Sequence, residues 1–419
     1  MKKLIILFFL PVQIALSQNE ITLDSCYQWA RENYPNLKQS KLYSEISELK
    51  IDNLKTSYLP GGTLKGQATY QSDVTTVDVP VPGITIPSIS KDQYKFYLEF
   101  QQNIWDGGTT QSQKALEEAV LKTNLSQVEV ELYQLNEKVN QAWFSALMAQ
   151  QNKAILETQQ SVLDEKIKAV ESGVNNGVVE ASNLDALQAE KLSTGQAILE
   201  AETGYSVSLK MLSILTGKNI DESVKLMEST VEPAVNGILS RPELTFFRDQ
   251  SSQLDTKAAL LDHQRYPRFF GFGQGGVGRP GLNMLSNDFQ PYYLIGIGMS
   301  WNAFDWQKTK REKQIIGLQK DMIQSQQETF EQNINLLLEQ QSANIRKIKT
   351  LIESDKEIIA LRQKIAKSSA SRLENGTMNS ADYIADLDAA TIAQIRLETH
   401  KIQLDEAIIK YNTIKGKVK

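Results

Sequence analysis

The residues able to do chemistry are few. His263 and His400 are the only histidines, and Cys26 is the only cysteine. A structural metal site needs about four such ligands at set spacing, so these three residues make no recognisable cluster and no metal is expected. Cys26 sits in a helical pattern and reads as a small buried apolar residue; without a second cysteine there is no internal disulfide. No nucleophile–histidine pair stands at a recognisable spacing. Gly271-Phe272-Gly273-Gln274-Gly275-Gly276 partly mimics a phosphate loop. It lacks a following helix with phosphate-binding residues, and glycines inside a strand mark bends or close packing. Neither an enzyme nor a cofactor is expected. Uncharged polar residues are abundant instead, among them Gln150, Gln151, Asn152, Gln159, Gln160, Gln326 and Gln327. They suit a water-filled duct or simply solvated helix faces.

The amino terminus bounds the setting. Met1-Lys2-Lys3 precedes an apolar run from Leu4 to Leu10, and Ala15-Leu16-Ser17 supplies the small residues of a cleavage site. Residues 1–17 therefore read as a secretory signal peptide. The run is too short to serve as a membrane anchor. The chain carries a formal charge of −5, which becomes more negative once Lys2 and Lys3 are removed, and this argues against a nucleic-acid partner. No later stretch is apolar for long enough to be a transmembrane helix. A β-barrel, whose strands alternate and leave a weaker trace, remains open.

Proline placement maps the elements. After the leader no proline falls between 88 and 232, and none after 291. Prolines interrupt helices, so these two tracts are where long helices can run. Two intervals then repeat. Asp106 to Gly177 and Asp305 to Gly376 are both 71 residues, and Pro35 to Pro60 and Pro242 to Pro267 are both 25. An internal duplication explains the matches, with one gap confined to the stretch before the aspartate. Residues 18–217 form a first repeat, 218–240 a linker, and 241–419 a second repeat. In the first repeat a helix is expected over about 22–58, strands over about 62–72 and 92–103, a long helix over about 107–173 and a return helix over about 180–216. In the second, a helix over about 241–264 leads to strands over about 268–278 and 292–302, a long helix over about 306–374 and a return helix over about 379–415. At 1.5 Å per residue, each 71-residue interval would be roughly 100 Å long. The apolar positions Leu121, Leu125, Val128, Leu132, Leu135, Val139 and Ala142 recur at helical steps. So do Leu336, Leu337, Ala343, Ile345, Ile348, Leu351 and Ile352. Both sets read as coiled-coil seams.

The strand segments carry the membrane argument. Tyr94, Phe96, Leu98 and Phe100 alternate with Lys95, Tyr97, Glu99 and Gln101. Tyr293, Ile295, Ile297, Met299 and Trp301 alternate with Leu294, Gly296, Gly298 and Ser300. Period two with an apolar and a polar face is the pattern of a barrel strand, and Tyr94, Phe96, Phe100, Tyr293 and Trp301 are the candidate membrane-interface aromatics. Four strands cannot close a barrel, and an open edge is not tolerated in lipid. Several copies must then share one barrel, and a channel rather than a filled barrel favours three or more. The rival reading is a soluble periplasmic coiled-coil scaffold or adaptor protein.

The duplication, Tyr34-Pro35, Tyr58-Leu59-Pro60, Phe100 through Trp105-Asp106-Gly107-Gly108, and the segments Gly177–Ala189 and Gly376–Ala390 together resemble the outer membrane efflux protein family, the TolC-like channels. The resemblance covers nearly the whole chain after the leader. It implies a mainly α fold with a small β part: a homotrimer with four strands per chain in a shared transmembrane β-barrel, continued as a long α-helical barrel into the periplasm. The channel would sit in outer-membrane lipid as the passive exit duct of a tripartite efflux or type I secretion system. Its partners would be a periplasmic adaptor (membrane fusion) protein and an inner-membrane RND or ABC-type pump. In the family pattern an acidic residue follows the turn glycine by six positions, and Asp382 matches; three positions later stands Ala385, with Asp386 and Asp388 nearby. Asp382 and Asp386 are the candidate periplasmic gate. Gly177, Val178, Gly376, Thr377 and Met378 are the candidate adaptor-docking tip.

Overall fold

The computed structural model describes residues 20–76, 88–222, 224–227, 232–233 and 238–417. The leader and the prolines at 80, 82 and 87 lie outside the described residues. In chain order the elements are β1 (Glu20–Ile21), α1 (Leu23–Asn33), α2 (Leu37–Lys55), β2 (Gly61–Tyr70), β3 (Asp92–Trp105), α3 (Thr109–Asn175) and α4 (Ala181–Thr216). There follow β4 (Lys225–Leu226), α5 (Pro242–His263), β5 (Arg268–Arg279), β6 (Gln290–Ser300), α6 (Lys308–Glu374) and α7 (Ser380–Lys415). The helices α3 and α6 are each 67 residues long, and α4 and α7 each 36. No described helix is long and apolar enough to cross a membrane.

The first helix differs from the sequence expectation. One helix was expected over about 22–58; the chain forms α1 and α2, separated at Tyr34-Pro35-Asn36. The pyrrolidine ring of Pro35 disfavours a helical conformation at the residue before it, and Tyr34 is extended with ψ 125°. Thr22 starts α1 by accepting the Ser25 N–H on its hydroxyl at 3.2 Å, the usual role of a threonine N-cap.

The chain divides into two compact units. The first comprises residues 1–38, 128–242 and 329–419, and the second comprises 39–127 and 243–328. The first unit is helical apart from the short parallel pair β1–β4. Its main core gathers Cys26 and Ala30 of α1, Leu135, Val139 and Trp143 of α3, Leu209 and Leu212 of α4, and Ile402 and Ile409 of α7. A second core joins Ile345, Ile348, Ile352 and Ile359 of α6 to Ala393, Leu397 and Ala407 of α7. The α3 seam is buried from Val128 through Ala142. The α6 seam divides: Ile345, Ile348 and Ile352 are buried, while Leu336, Leu337 and Leu351 are exposed. The helix carries two apolar stripes, and only one has a partner among the described residues.

The second unit is built on a four-stranded antiparallel sheet in the order β2-β3-β5-β6. Its register places Leu64 opposite Leu98, Phe96 opposite both Gly66 and Val277, and Gly273 opposite both Phe100 and Ile295. Among the described residues the outer strands β2 and β6 each pair on one side only.

Candidate functional site

The candidate functional side chains fall in two places, one in each unit. The first is the sheet. Side chains alternate across a strand, so the register sorts them into two faces. One face gathers Tyr94, Phe96, Leu98 and Phe100 of β3, Leu64 of β2, Val277 of β5 and Tyr293, Ile295, Ile297 and Met299 of β6. All of them are exposed, Ile295 at 79%. Ten large apolar side chains on one exposed face are far more than a water-facing surface holds without a partner. The opposite face carries Lys65, Gln67, Lys95, Tyr97, Glu99 and Gln101, and the Lys65 ammonium donates to Glu99 at 2.6 Å. On that face the rings of Phe270 and Phe272 lie over Gly298 and Gly296, their cross-strand partners. A side chain at either glycine would stand 2.5–2.6 Å from the ring. Of the aromatics read from the sequence, Tyr94 stands near the start of β3, and Phe96 and Phe100 lie on either side of its middle. Tyr293 is near the start of β6, and Trp301 follows its end, donating its indole N–H to the Arg265 carbonyl at 3.0 Å.

Both strand-to-helix passages are built on an aspartate. Asp106 is 5% exposed. Its carboxylate accepts from the Tyr58 hydroxyl at 2.7 Å, the Gly108 N–H at 3.0 Å and the Thr110 N–H at 2.7 Å, capping α3. Burial pushes this carboxyl up, but the hydrogen bonds from Thr110, Tyr58 and Gly108 outweigh it and hold Asp106 below its ordinary value. Gly107 and Gly108 adopt left-handed φ of 72° and 82° with Tyr266 and His263 packed where a Cβ would go. Asp305 does the same for α6, accepting from Gln307 N–H at 3.0 Å and Thr309 N–H at 3.1 Å. There the left-handed positions are Trp306 and Gln307, at φ 52° and 63°. A side chain in this region costs about 1–2 kcal/mol relative to the right-handed form.

Sequence reasoning missed a clamp at the other rim of the sheet. Arg279 makes an ion pair with Asp92 and lies over the rings of Tyr94 and Phe289, 5.2 and 5.6 Å from their centroids. Arg279 and Tyr94 are direct cross-strand partners, so the only signal lay in a β3–β5 pairing that is not local in sequence.

The second place is the pair of turns α3–α4 and α6–α7, within the helical unit. Each ends its long helix in the same way. Val178 N–H returns to Gly173 O at 3.0 Å and Gly177 N–H to Val174 O at 2.9 Å. Thr377 N–H returns to Arg372 O at 2.9 Å and Gly376 N–H to Leu373 O at 3.0 Å. These are Schellman motifs, which require a left-handed residue; Gly177 and Gly376 have φ of 70° and 68°. Val178 and Thr377 are exposed, whereas Met378 packs into the core under the turns with Leu163, Leu187, Leu373, Tyr383 and Leu387. The turns are joined directly, since the Asn183 side chain accepts the Ser380 N–H at 2.7 Å.

The acidic residues divide by environment. Asp382 is exposed in the first turn of α7, where the Asn379 side chain accepts its N–H at 2.8 Å. Asp386 is half-buried and accepts the Ser369 hydroxyl of α6 at 2.5 Å. Asp388 accepts from the Gln159 amide of α3 at 2.8 Å. Burial raises the Asp388 carboxyl above its ordinary value, and burial together with the charge of Asp388 raises Glu190 of α4. Among the described residues no group of three or more His, Cys, Asp or Glu could hold a metal ion.

The comparisons agree with this geometry. Residues 26–218 match the outer membrane efflux protein family. No curated protein matches the sequence. Among solved structures, the fold is similar to the CmeC outer membrane channel of Campylobacter jejuni, with TM-score 0.66 and 16% identity over 94% of this chain and 85% of that one. It is similar to the outer membrane protein VceC of Vibrio cholerae, with TM-score 0.67 and 14% identity over 95% and 97%. It is also similar to the open state of the MtrE outer membrane channel of Neisseria gonorrhoeae, with TM-score 0.67 and 14% identity over 94% and 89%. The family match runs from α1 through α4, a little under half of the chain, and over nearly its whole length the fold is similar to that of these outer membrane channels.

Proposed function

We propose that three copies of this chain form an outer-membrane exit duct, the passive conduit of a tripartite efflux or type I secretion system. The observation that carries this is the sheet: one fully exposed apolar face, an opposite face that carries Lys65, Gln67, Lys95, Glu99 and Gln101, and two outer strands with an edge unpaired among the described residues. An apolar face of this extent fits lipid, and an open edge does not, so β2 of one copy pairs with β6 of the next. Three copies give a twelve-stranded barrel, wide enough to leave a channel lined by Tyr97, Glu99, Gln101 and their neighbours. The helices close a tube in the same way. On α4, Leu192, Leu199, Val207, Met211 and Ile214 form an exposed stripe, and on α6 Leu351, Ile358 and Ile365 recur at seven-residue steps, also exposed. These stripes fit coiled-coil seams between copies. The equal lengths of α3 and α6, and of α4 and α7, support an internal duplication.

The α3–α4 and α6–α7 turns then face the partners. Gly177, Val178, Gly376, Thr377 and Met378 dock a periplasmic adaptor, with Val178 and Thr377 making the contact and Met378 holding the turn from inside. An inner-membrane pump supplies the energy. Asp382, exposed on the first turn of α7, forms a ring of three carboxylates that attracts cations, while Asp386 holds α7 against α6 through Ser369. A soluble scaffold would leave the apolar sheet face without a partner, and the comparisons point away from it.

Deletion of the gene followed by exposure to a panel of toxic compounds, alongside a survey of secreted proteins, tests the duct. Loss of neither resistance nor secretion contradicts it. Single-channel recording of Asp382→Asn tests the gate separately, and unchanged cation selectivity and closure would remove Asp382 from it.

A further inference from the structure

The Phe304-Asp305-Trp306 turn is not used by the duct itself. Phe304 and Trp306 are 86% and 87% exposed, among the most exposed large apolar side chains in the chain. Trp306 stands in the turn position that Gly107 fills before α3. There a side chain would collide with Tyr266 and His263, and glycine fits. Before α6 the Trp306 backbone is held in the left-handed conformation and its indole is exposed. The holding is done by Asp305, whose carboxylate and carbonyl take the N–H groups of Gln307, Lys308 and Thr309, and by Arg311, whose guanidinium donates to the Trp306 carbonyl at 3.1 Å. Trp301 at the end of β6 continues the exposed apolar surface toward Met299 and Ile297, on the face assigned to lipid. Three cations, Lys308, Lys310 and Arg311, follow within five residues and are exposed.

We propose that Phe304 and Trp306, with Lys308, Lys310 and Arg311, form a membrane-surface anchor that binds anionic phospholipid at the headgroup boundary. Indole is amphipathic and partitions to that boundary. Cations just outside it are attracted by lipid phosphates in excess of zwitterionic charge, by about fivefold in occupancy for each cation near the surface. The first passage, Trp105-Asp106-Gly107-Gly108, has no counterpart of Trp306, so the anchor belongs to the second hairpin alone. This inference rests on the outer-membrane reading of the sheet.

The test is tryptophan emission of the full-length protein in proteoliposomes, recorded for the native chain and for Trp306→Phe, with the difference assigned to Trp306. Brominated phosphatidylglycerol and brominated phosphatidylcholine are compared as quenchers at equal mole fraction. Trp306 emission is expected to be quenched by both, and several-fold more by the anionic lipid; Lys308→Gln with Lys310→Gln removes most of that preference. Equal quenching by the two lipids overturns the anionic preference. Trp306 emission that resists both lipids and aqueous iodide, while the remaining tryptophans are quenched by lipid, places the side chain against a second copy and overturns the anchor with the duct intact. Lipid quenching of no tryptophan at all defeats the sheet reading on which the anchor stands.

Discussion

Replacing Asp106 by alanine tests how the sheet is joined to the long helix. The carboxylate accepts two backbone N–H bonds and one tyrosine hydroxyl while only 5% exposed. Losing an N-cap costs about 1–2 kcal/mol. Stranding the buried Thr110 N–H, previously bonded to a charge, adds about 1–2 kcal/mol. The half-buried Tyr58 hydroxyl regains water and adds little. The total is about 3 kcal/mol, read as a lower urea midpoint for the detergent-solubilised protein at unchanged slope. Asp106→Asn, which keeps an acceptor but not the charge, is expected to lose about 1 kcal/mol. Asp305→Ala has a smaller effect than Asp106→Ala, because its carboxylate is solvated and caps without a tyrosine partner. The pH dependence has a definite sign. Asp106 has its pKa depressed in the folded state, so its contribution is complete above the unfolded carboxylate value of about 3.9 and is lost as pH falls through the folded one. The difference between native and Asp106→Asn therefore shrinks in acid. An Asp106→Ala cost below about 1 kcal/mol, or a difference that grows on acidification, would refute the reasoning.

The acidic pair near the turns behaves in the opposite sense. Glu190 and Asp388 have raised folded-state values, so their contribution to stability is full below the unfolded values and is lost as pH rises through the folded ones. Glu190→Gln or Asp388→Asn is expected to raise the urea midpoint at pH 7, and a lowered midpoint contradicts this. Gly177→Ala and Gly376→Ala meet open space, so only the left-handed backbone resists; each is expected to cost about 1 kcal/mol in urea unfolding, and the double variant about twice that. Gly276→Val puts a Cβ 2.2 Å from the Phe96 carbonyl oxygen and 2.4 Å from the Tyr97 Cβ, whereas Gly275 has open space. The valine variant is expected to lose the compact folded band of the proposed barrel on unheated electrophoresis, and Gly275→Ala to keep it.

What was legible in the sequence depended on range. Alternation at Tyr94 to Phe100 survives in any single strand, and the glycines at 177 and 376 mark turns that need positive φ. The β2 strand was harder to read, because Gly62, Gly66 and Ala68 give its apolar face too little contrast. The β3–β5 pairing joins residues more than 160 apart, so the Arg279 clamp could not be seen before that register was known, and the stacking of Phe270 and Phe272 on Gly298 and Gly296 needed the β5–β6 register. Leu336, Leu337 and Leu351 show the limit of periodicity. Apolar spacing marks a stripe that wants a partner, and does not say whether the partner is in the same chain. The split of the first helix was missed for a different reason: Pro35 acts on Tyr34 before it, and a proline near a helix start reads as tolerated.

The sheet faces offer the most direct measurement. Burial pushes the Cys26 thiol up to about 12, which leaves the native chain without a reactive cysteine at neutral pH. Cysteines introduced singly at Ile295 and Gln101 therefore report their own surroundings in native outer membranes. Aqueous maleimide and a lipid-soluble maleimide are applied in parallel. The account predicts that Gln101→Cys reacts with the aqueous reagent while Ile295→Cys reacts only with the lipid-soluble one. Equal aqueous labelling of both positions would contradict a lipid-facing sheet, and with it the outer-membrane duct.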